Sequence, residues 1–218
     1  PAKRYRLIAQ AGRVLPPDGP DADSAGTTES HPGPPGYVSP TRVFGEHGQT
    51  LTVLGVRITV FTEYPFDTDC TLLLWLPDDR TVIHNHLSAN FPNVYSIGGC
   101  RFRDPQPWLA GLDEIRRRRP EYLIGCHGLP VIGEEAVADT VCATRDALQF
   151  VYDQTVRGIN SGLSPAELID AVRLPPQLAD HPMLSQTYGE VWHHVLAIYA
   201  GLLGWYDGNA TGLIPLHP

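Results

Sequence analysis

The chain has 218 residues, 42% of them apolar, and a formal net charge of −8. That suffices for one substantial domain with a buried core, or a domain with an appendage, and is short for two independent domains. The acidic balance argues against a nucleic-acid surface, which needs cations to meet phosphates. No apolar run approaches the roughly 20 residues of a membrane span, and the opening PAKRYRLIAQAG is too weakly apolar for a signal peptide, so a soluble protein is expected. Cys70, Cys100, Cys126 and Cys142 form no CxxC pair. They read as small buried residues in a reducing, cytoplasmic setting rather than as a zinc knuckle or redox motif.

In chain order, residues 15–40 are rich in Pro, Gly, Ser and Asp and have almost nothing to bury; such a segment is ordered only if something covers it. Two β-branched runs around Gly55 (TLTVLGVRITVF) predict a β-hairpin. TLLLWL over 71–76, the turn PDDR and TVIH over 81–84 predict two more strands, the first too continuously apolar to meet water on either side. Trp108, Leu109, Leu112 and Ile115 predict a helix over 105–118. Its basic end, residues 116–119, reads as cations at the negative end of the helix dipole. YLIGCH predicts a short buried strand ending at His127. Helices follow over 137–156, after the capping box Ser164, Pro165, Glu167, and over 188–203.

Three places put ligand-type side chains at strand ends, where a rigid sheet fixes them and their tips reach the loop surface. Asp67 and Asp69 precede the TLLLWL strand, His84 and His86 end the next, and His127 ends the last. Imidazoles and carboxylates brought to one sheet edge suit zinc, iron or manganese. Each also has a plainer reading: a hydrogen-bonded structural histidine, or aspartates capping a turn. No GxSxG elbow, phosphate loop or HExxH string occurs. Cys100 in SIGGC reads as a nucleophile less readily than as part of a glycine turn.

The strings FPNVYSIGGCRFRDPQPW, PEYLIGCHGLPVIG, TRDALQFVYDQTVRGINSGLSPAELIDAVRLPPQLA and YGEVWHHVLAIYAGLLGWYDGNA, in this order and spacing, resemble the alkylsulfatase-like branch of the metallo-β-lactamase superfamily. The resemblance runs from about residue 40 to the C-terminus. It implies an α/β fold: half of a metallo-β-lactamase αββα sandwich over 1–133, including the loop 15–40, followed by a helical appendage over 134–218. It also implies a metal-dependent hydrolase in which a metal-activated water attacks an ester-like substrate. The cofactor would be one or two divalent ions, zinc in the first place and iron or manganese as alternatives. His127 in CHGLP matches the family's histidine ligand, Asp69 its acidic ligand with Asp67 in reserve, and Asn93 and Tyr188 the substrate pocket.

Three departures accompany it. The family's HxHxDH motif lies upstream of everything matched and is absent from this chain, so the expected partner is an N-terminal half or second polypeptide that carries it, within an oligomer. Asn85 stands where a bridging carboxylate is expected; an amide cannot offset two dications, which favours one metal or recruitment of His84 or His86. IGGC replaces LRGA, so Gly98 stands where the family's sulfate-clamping arginine would. The chain begins at Pro1 and holds one methionine, Met183, which reads as a processed or trimmed piece. The resemblance places a dimerisation module beyond GWYDGNA, with Trp205 and Tyr206 pinning the helix end and Gly208 turning the chain away. Two alternatives stand beside the hydrolase: a non-catalytic scaffold or binding subunit, of which Asn85 and Gly98 would be marks, and metal-dependent redox chemistry on the same scaffold.

Overall fold

The computed structural model describes residues 43–65, 71–87, 90–93 and 102–210. Six strands, β1 (Gln49–Val53), β2 (Val56–Phe61), β3 (Leu73–Leu76), β4 (Thr81–His84), β5 (Tyr122–Gly125) and β6 (Val131–Ile132), form one sheet in sequence order. Neighbours are antiparallel except β4 and β5, which run parallel. The expected hairpin is β1–β2, and its two-residue tip places both Leu54 and Gly55 at positive φ, the conformation that matches strand twist.

The parallel β4–β5 step needs a crossover, and α1 (Pro105–Arg118) supplies it. Asp104 caps its start by accepting the Gln106 N–H at 3.0 Å, and Pro105 opens it. It stops at Arg119, in left-handed conformation immediately before Pro120. The basic end is ion-paired: Arg116 with Asp113, Arg117 and Arg118 with the buried Glu114, and Arg119 with Glu134.

The long helix α2 (Glu134–Asn160) joins two cores. Val137, Val141 and Leu148 pack with Phe61, Leu73, Trp75, Val82, Leu123 and the apolar face of α1. Ala143, Ala147 and Val151 pack with Phe91, Leu168, Leu184 and Val195. The second core is completed by α3 (Pro165–Ala171), the short α4 (Pro176–Ala179), a 3-10 turn (Pro182–Leu184) and α5 (Val191–Leu203). The predicted capping box is formed: the Ser164 hydroxyl accepts the Glu167 N–H, and the Glu167 carboxylate accepts the Ser164 N–H at 2.8 Å.

Strand register sorts the sheet into two apolar faces. Phe61, Leu73, Trp75, Val82 and Leu123 share the face covered by α1 and α2. Val60, Leu74, Ile83 and Ile124 share the other. On that second face Leu72 is 46% exposed, Ile124 37%, Tyr122 37% and Ile132 65%. The expectation that β3 and β5 avoid water on both sides therefore holds on one side only, because only one side has a helical layer among the described residues.

The end of the chain also differs from expectation. Gly208 does take positive φ, at 85°, but Trp205 is 73% exposed and Tyr206 41%. Their rings meet each other edge to face rather than the core, so they do not pin the helix. The loop 15–40 lies outside the described residues, as do Cys70, Cys100 and Gly98.

Candidate functional site

The C-terminal ends of β4 and β5 lie side by side: His84 is in register with Gly125, and the Cys126 N–H donates to the His84 carbonyl at 3.0 Å. Just beyond them opens a cleft of about 420 Å³ lined by Thr71, Leu72, Leu74, Ile83, His84, Asn85, Cys126 and His127. Such a crevice outside the carboxyl ends of parallel strands is where an α/β sheet offers side chains and unpaired backbone to a ligand. One wall is the exposed apolar face of the sheet, through Leu72, Leu74 and Ile83.

The two histidines of HNH do different work from each other. His84 is buried, and its Nδ1 accepts the backbone N–H groups of His86 at 2.9 Å and Leu87 at 3.3 Å. The proton of the neutral ring therefore sits on Nε2. Burial, with the nearby His86 adding to it, lowers its pKa to about 3. His86 is also buried, its Nε2–H donating to the Tyr64 carbonyl at 3.2 Å, and its own carbonyl accepts the Trp108 indole N–H at 2.8 Å. Burial lowers its pKa to about 4 against the opposing effect of the Tyr64 carbonyl. Its ring lies directly over Gly111 of α1. His86 is thus locked against the helix as a structural histidine.

His127 is exposed at the cleft. Gly125, two residues before it, leaves room for both the His127 carbonyl and the His84 ring, which a Cβ would meet at 3.1 and 3.3 Å. Asp67 and Asp69 lie outside the described residues; Asp69 precedes the cleft residue Thr71 by two positions. Asn85 lines the cleft beside His127. Asn93 is buried elsewhere, its side-chain oxygen accepting from Arg103, and Tyr188 is 57% exposed on the segment before α5. The structure therefore brings Asn85, His127 and His84 together and keeps Asn93 and Tyr188 apart from that cleft.

As a metal site the described residues are partial. Among them no group of three or more His, Cys, Asp or Glu side chains converges. The His84 Nδ1 is occupied as an acceptor and Asn85 brings no charge, so among the described residues the His127 imidazole and the Cys126 thiol are the ligand-type groups left at the cleft, and a complete shell needs donors from outside the described residues. Sequence reasoning missed Cys126 as a cleft residue and Gly111 as the seat of His86. The second had a signal, a glycine on the apolar face of an otherwise well-formed helix.

A sequence profile described as alkyl sulfatase dimerisation matches residues 164–218. A linear primary-alkylsulfatase of Pseudomonas sp. is 38% identical over 192 residues, covering 87% of this chain and 36% of that protein. The chain belongs to the alkylsulfatase-like branch of the metallo-β-lactamase superfamily. The alkyl/aryl-sulfatase BDS1 of Saccharomyces cerevisiae is 27% identical over 185 residues, or 83% of this chain and 29% of that one. The solved structure of the stereoselective inverting sec-alkylsulfatase Pisa1 from Pseudomonas sp. matches with a TM-score of 0.74 at 25% identity, over 83% of this chain and 29% of that one. The chain spans about a third of the length of these alkylsulfatase relatives. The dimerisation match corrects one expectation: it begins at the capping box of α3 and includes α5, rather than lying beyond GWYDGNA. The reason is visible in the packing, since α3 and α5 share one core with the second half of α2. Among the described residues no helix is long and apolar enough to cross a membrane.

Proposed function

We propose that this chain forms the downstream half of a metal-dependent hydrolase of the alkylsulfatase-like type, acting on an ester-like substrate. Residues 1–133 are then half of the sandwich and 134–218 its helical appendage. The observation that carries this reading is the cleft at the parallel strand ends, opening on a sheet face that is apolar yet exposed. An apolar sheet face calls for a second layer. A second sheet laid there would close the cleft and bring the missing ligands to its rim, the role proposed for an upstream segment or second polypeptide bearing HxHxDH. His127 and Asp69 are the proposed metal ligands, with Asn85 at the neutral position of the shell and zinc the proposed metal. A bound metal of this kind lowers the pKa of its water toward neutrality. Around it, the neutral His84 ring offers an Nε2–H donor, while Leu72, Leu74 and Ile83 exclude bulk water. The dimerisation match supports an oligomer, and the exposed thiol of Cys126 supports a reducing, cytoplasmic location.

The test uses the full-length polypeptide that carries this chain. His127→Ala is expected to lower bound metal per protomer and to reduce hydrolysis of a linear alkyl sulfate by at least ~100-fold, beyond the usual effect of an outer-shell change. Retained metal and turnover would overturn the assignment. The scaffold reading is favoured by Asn85 and by the partial donor set; protein that stays metal-free in zinc-supplemented medium would establish it.

A further inference from the structure

We propose that the outer apolar stripe of α5, formed by Trp192, Leu196, Tyr199 and Leu203, pairs antiparallel with the same stripe of a second copy of this chain across a two-fold axis. This deepens the oligomer reading above and rests on it, by naming the surface through which the copies meet.

The helix α5 has more apolar surface than its own fold uses. From Val191 to Tyr206 the sequence VWHHVLAIYAGLLGWY holds no Asp, Glu, Lys or Arg, and it lies between Glu190 and Asp207. A helix without a charged face is ordinarily covered all round. Here the inner stripe enters the core, with Val191, Val195 and Ile198 buried. One residue further along, Trp192, Leu196, Tyr199 and Leu203 repeat at steps of four, three and four. That spacing is the seam of a paired helix. Among the described residues this second stripe is incompletely covered: Trp192 is 38% and Leu203 56% exposed, and Leu196 and Tyr199 are half-buried. By contrast α3 turns Glu167 and Asp170 to solvent, as a helix that faces water does.

Three observations select a second copy as the occupant. Residues 164–218, which include all of α5, match the dimerisation family. The steps of four, three and four read the same in both directions, so the stripe is complementary to itself. About an axis midway between residues 196 and 199, an antiparallel mate sets Trp192 opposite Leu203 of the second copy and Leu196 opposite its Tyr199. The same arrangement carries Trp205 and Tyr206, exposed beyond Leu203, toward the exposed Tyr188 that precedes Trp192 in the second copy. The composition is that of an interface core, aromatic and free of charge. Trp192 is prepared for such a place: its indole N–H donates to the Glu190 carboxylate at 2.7 Å, and its ring lies 3.6 Å from that of His193, centroid to centroid. Its polar edge is thus satisfied within one copy, and its ring is held before a partner arrives.

The experiment measures mass by sedimentation of the full-length polypeptide and its variants. Wild-type protein is expected to be a dimer at micromolar concentration. Leu203→Arg places a cation at the favourable end of the helix dipole, on a side chain already half in solvent, so the fold is retained. It is expected to raise the dimer dissociation constant by at least ~100-fold, because a two-fold axis makes each change count twice. A second measurement tests the pairing itself. Residues 192 and 203 lie about 16 Å apart along one helix. A short bis-maleimide should therefore link the Trp192→Cys/Leu203→Cys double variant between copies and link neither single variant. If wild-type protein is monomeric at that concentration, the oligomer reading fails and the pairing with it. If the dimer persists unweakened in Leu203→Arg, or the double variant links no better than the single ones, the pairing is refuted while the oligomer reading stands. A Leu203→Arg dimer of unchanged mass and lower unfolding midpoint would show the stripe covered by its own polypeptide instead, and would overturn the proposal.

Discussion

Gly111→Ala sets two effects of opposite sign against each other inside one helix. Alanine in a helix interior is favoured over glycine by about 1 kcal/mol. Against that, the new Cβ would lie 2.5 Å from His86 Nε2, 2.7 Å from its Cδ2 and 3.0 Å from the Tyr64 Cβ. Non-bonded atoms of this kind settle at roughly 3.5 Å, so the ring must withdraw by about 1 Å. It has nowhere to go: His86 is 1% exposed, its Nε2–H is held by the Tyr64 carbonyl, and its backbone is held by Trp108. Overpacking of this sort costs about 1–3 kcal/mol and a lost hydrogen bond about 1 kcal/mol more. The collision wins, and the variant is expected to be destabilised by about 2 kcal/mol, read as a lower urea midpoint at unchanged m. In a His86→Ala background the imidazole is gone and only the 3.0 Å approach to the Tyr64 Cβ remains, so the same Gly111→Ala change should lie between neutral and a gain of about 1 kcal/mol. Equal effects in the two backgrounds, or a more stable single variant, would refute the packing of His86 on α1.

Ser164→Ala removes the hydroxyl that accepts the Glu167 N–H and donates to the Glu167 carboxylate, while the backbone bond from the residue 164 N–H is kept, and should cost about 1 kcal/mol, measured by chemical unfolding. Trp108→Phe keeps an aromatic but smaller ring in the core and removes the indole N–H that the His86 carbonyl accepts; a loss of about 1–3 kcal/mol from the void and the lost bond together is expected in the same assay. His194 predicts a pH dependence. Its folded pKa is lowered to about 4, from 6.5, chiefly by burial, so the unfolded chain takes up the proton first as pH falls. Its contribution to stability is complete above about pH 6.5 and is lost between there and about pH 4, on the order of 3 kcal/mol in total. His194→Gln should flatten the fall in unfolding midpoint between pH 7 and pH 4.5 by one proton's worth, and an unchanged slope would contradict a neutral buried ring.

Local signals carried most of the fold. The helix over 105–118 was legible because Trp108, Leu109, Leu112 and Ile115 repeat at helical spacing between an N-terminal Asp-Pro and a basic stop. The capping box at Ser164 was legible because its chemistry is complete within four residues. β6 escaped notice because two residues carry no periodicity, and it exists only by pairing with β5. Tyr122 and Ile124 looked buried because an apolar strand does not announce which layer will cover it. The site was less legible still. His84, His86 and His127 are three similar residues in sequence, and the seat that Gly111 provides for His86 is a long-range contact with no local pattern.

What separates the two imidazoles at the cleft is backbone geometry rather than spacing. Where β4 ends, the chain curls so that the N–H groups of His86 and Leu87 both point at His84 Nδ1. Two donors fix the lone pair there and the proton on the far nitrogen, so His84 can act only as a donor through Nε2 and would have to lose that proton to bind a cation. Burial reinforces this by opposing the charged ring. Among the described residues no such pair of amides holds His127, whose strand ends at Gly125 and whose side chain stands exposed at the cleft. The parallel pairing of β4 with β5 thus delivers two histidines to one place with opposite capacities: one able to donate a hydrogen bond, the other able to offer a lone pair. The hydrolytic site proposed above would use both, and the alternation of residues along the two strands could not have told them apart.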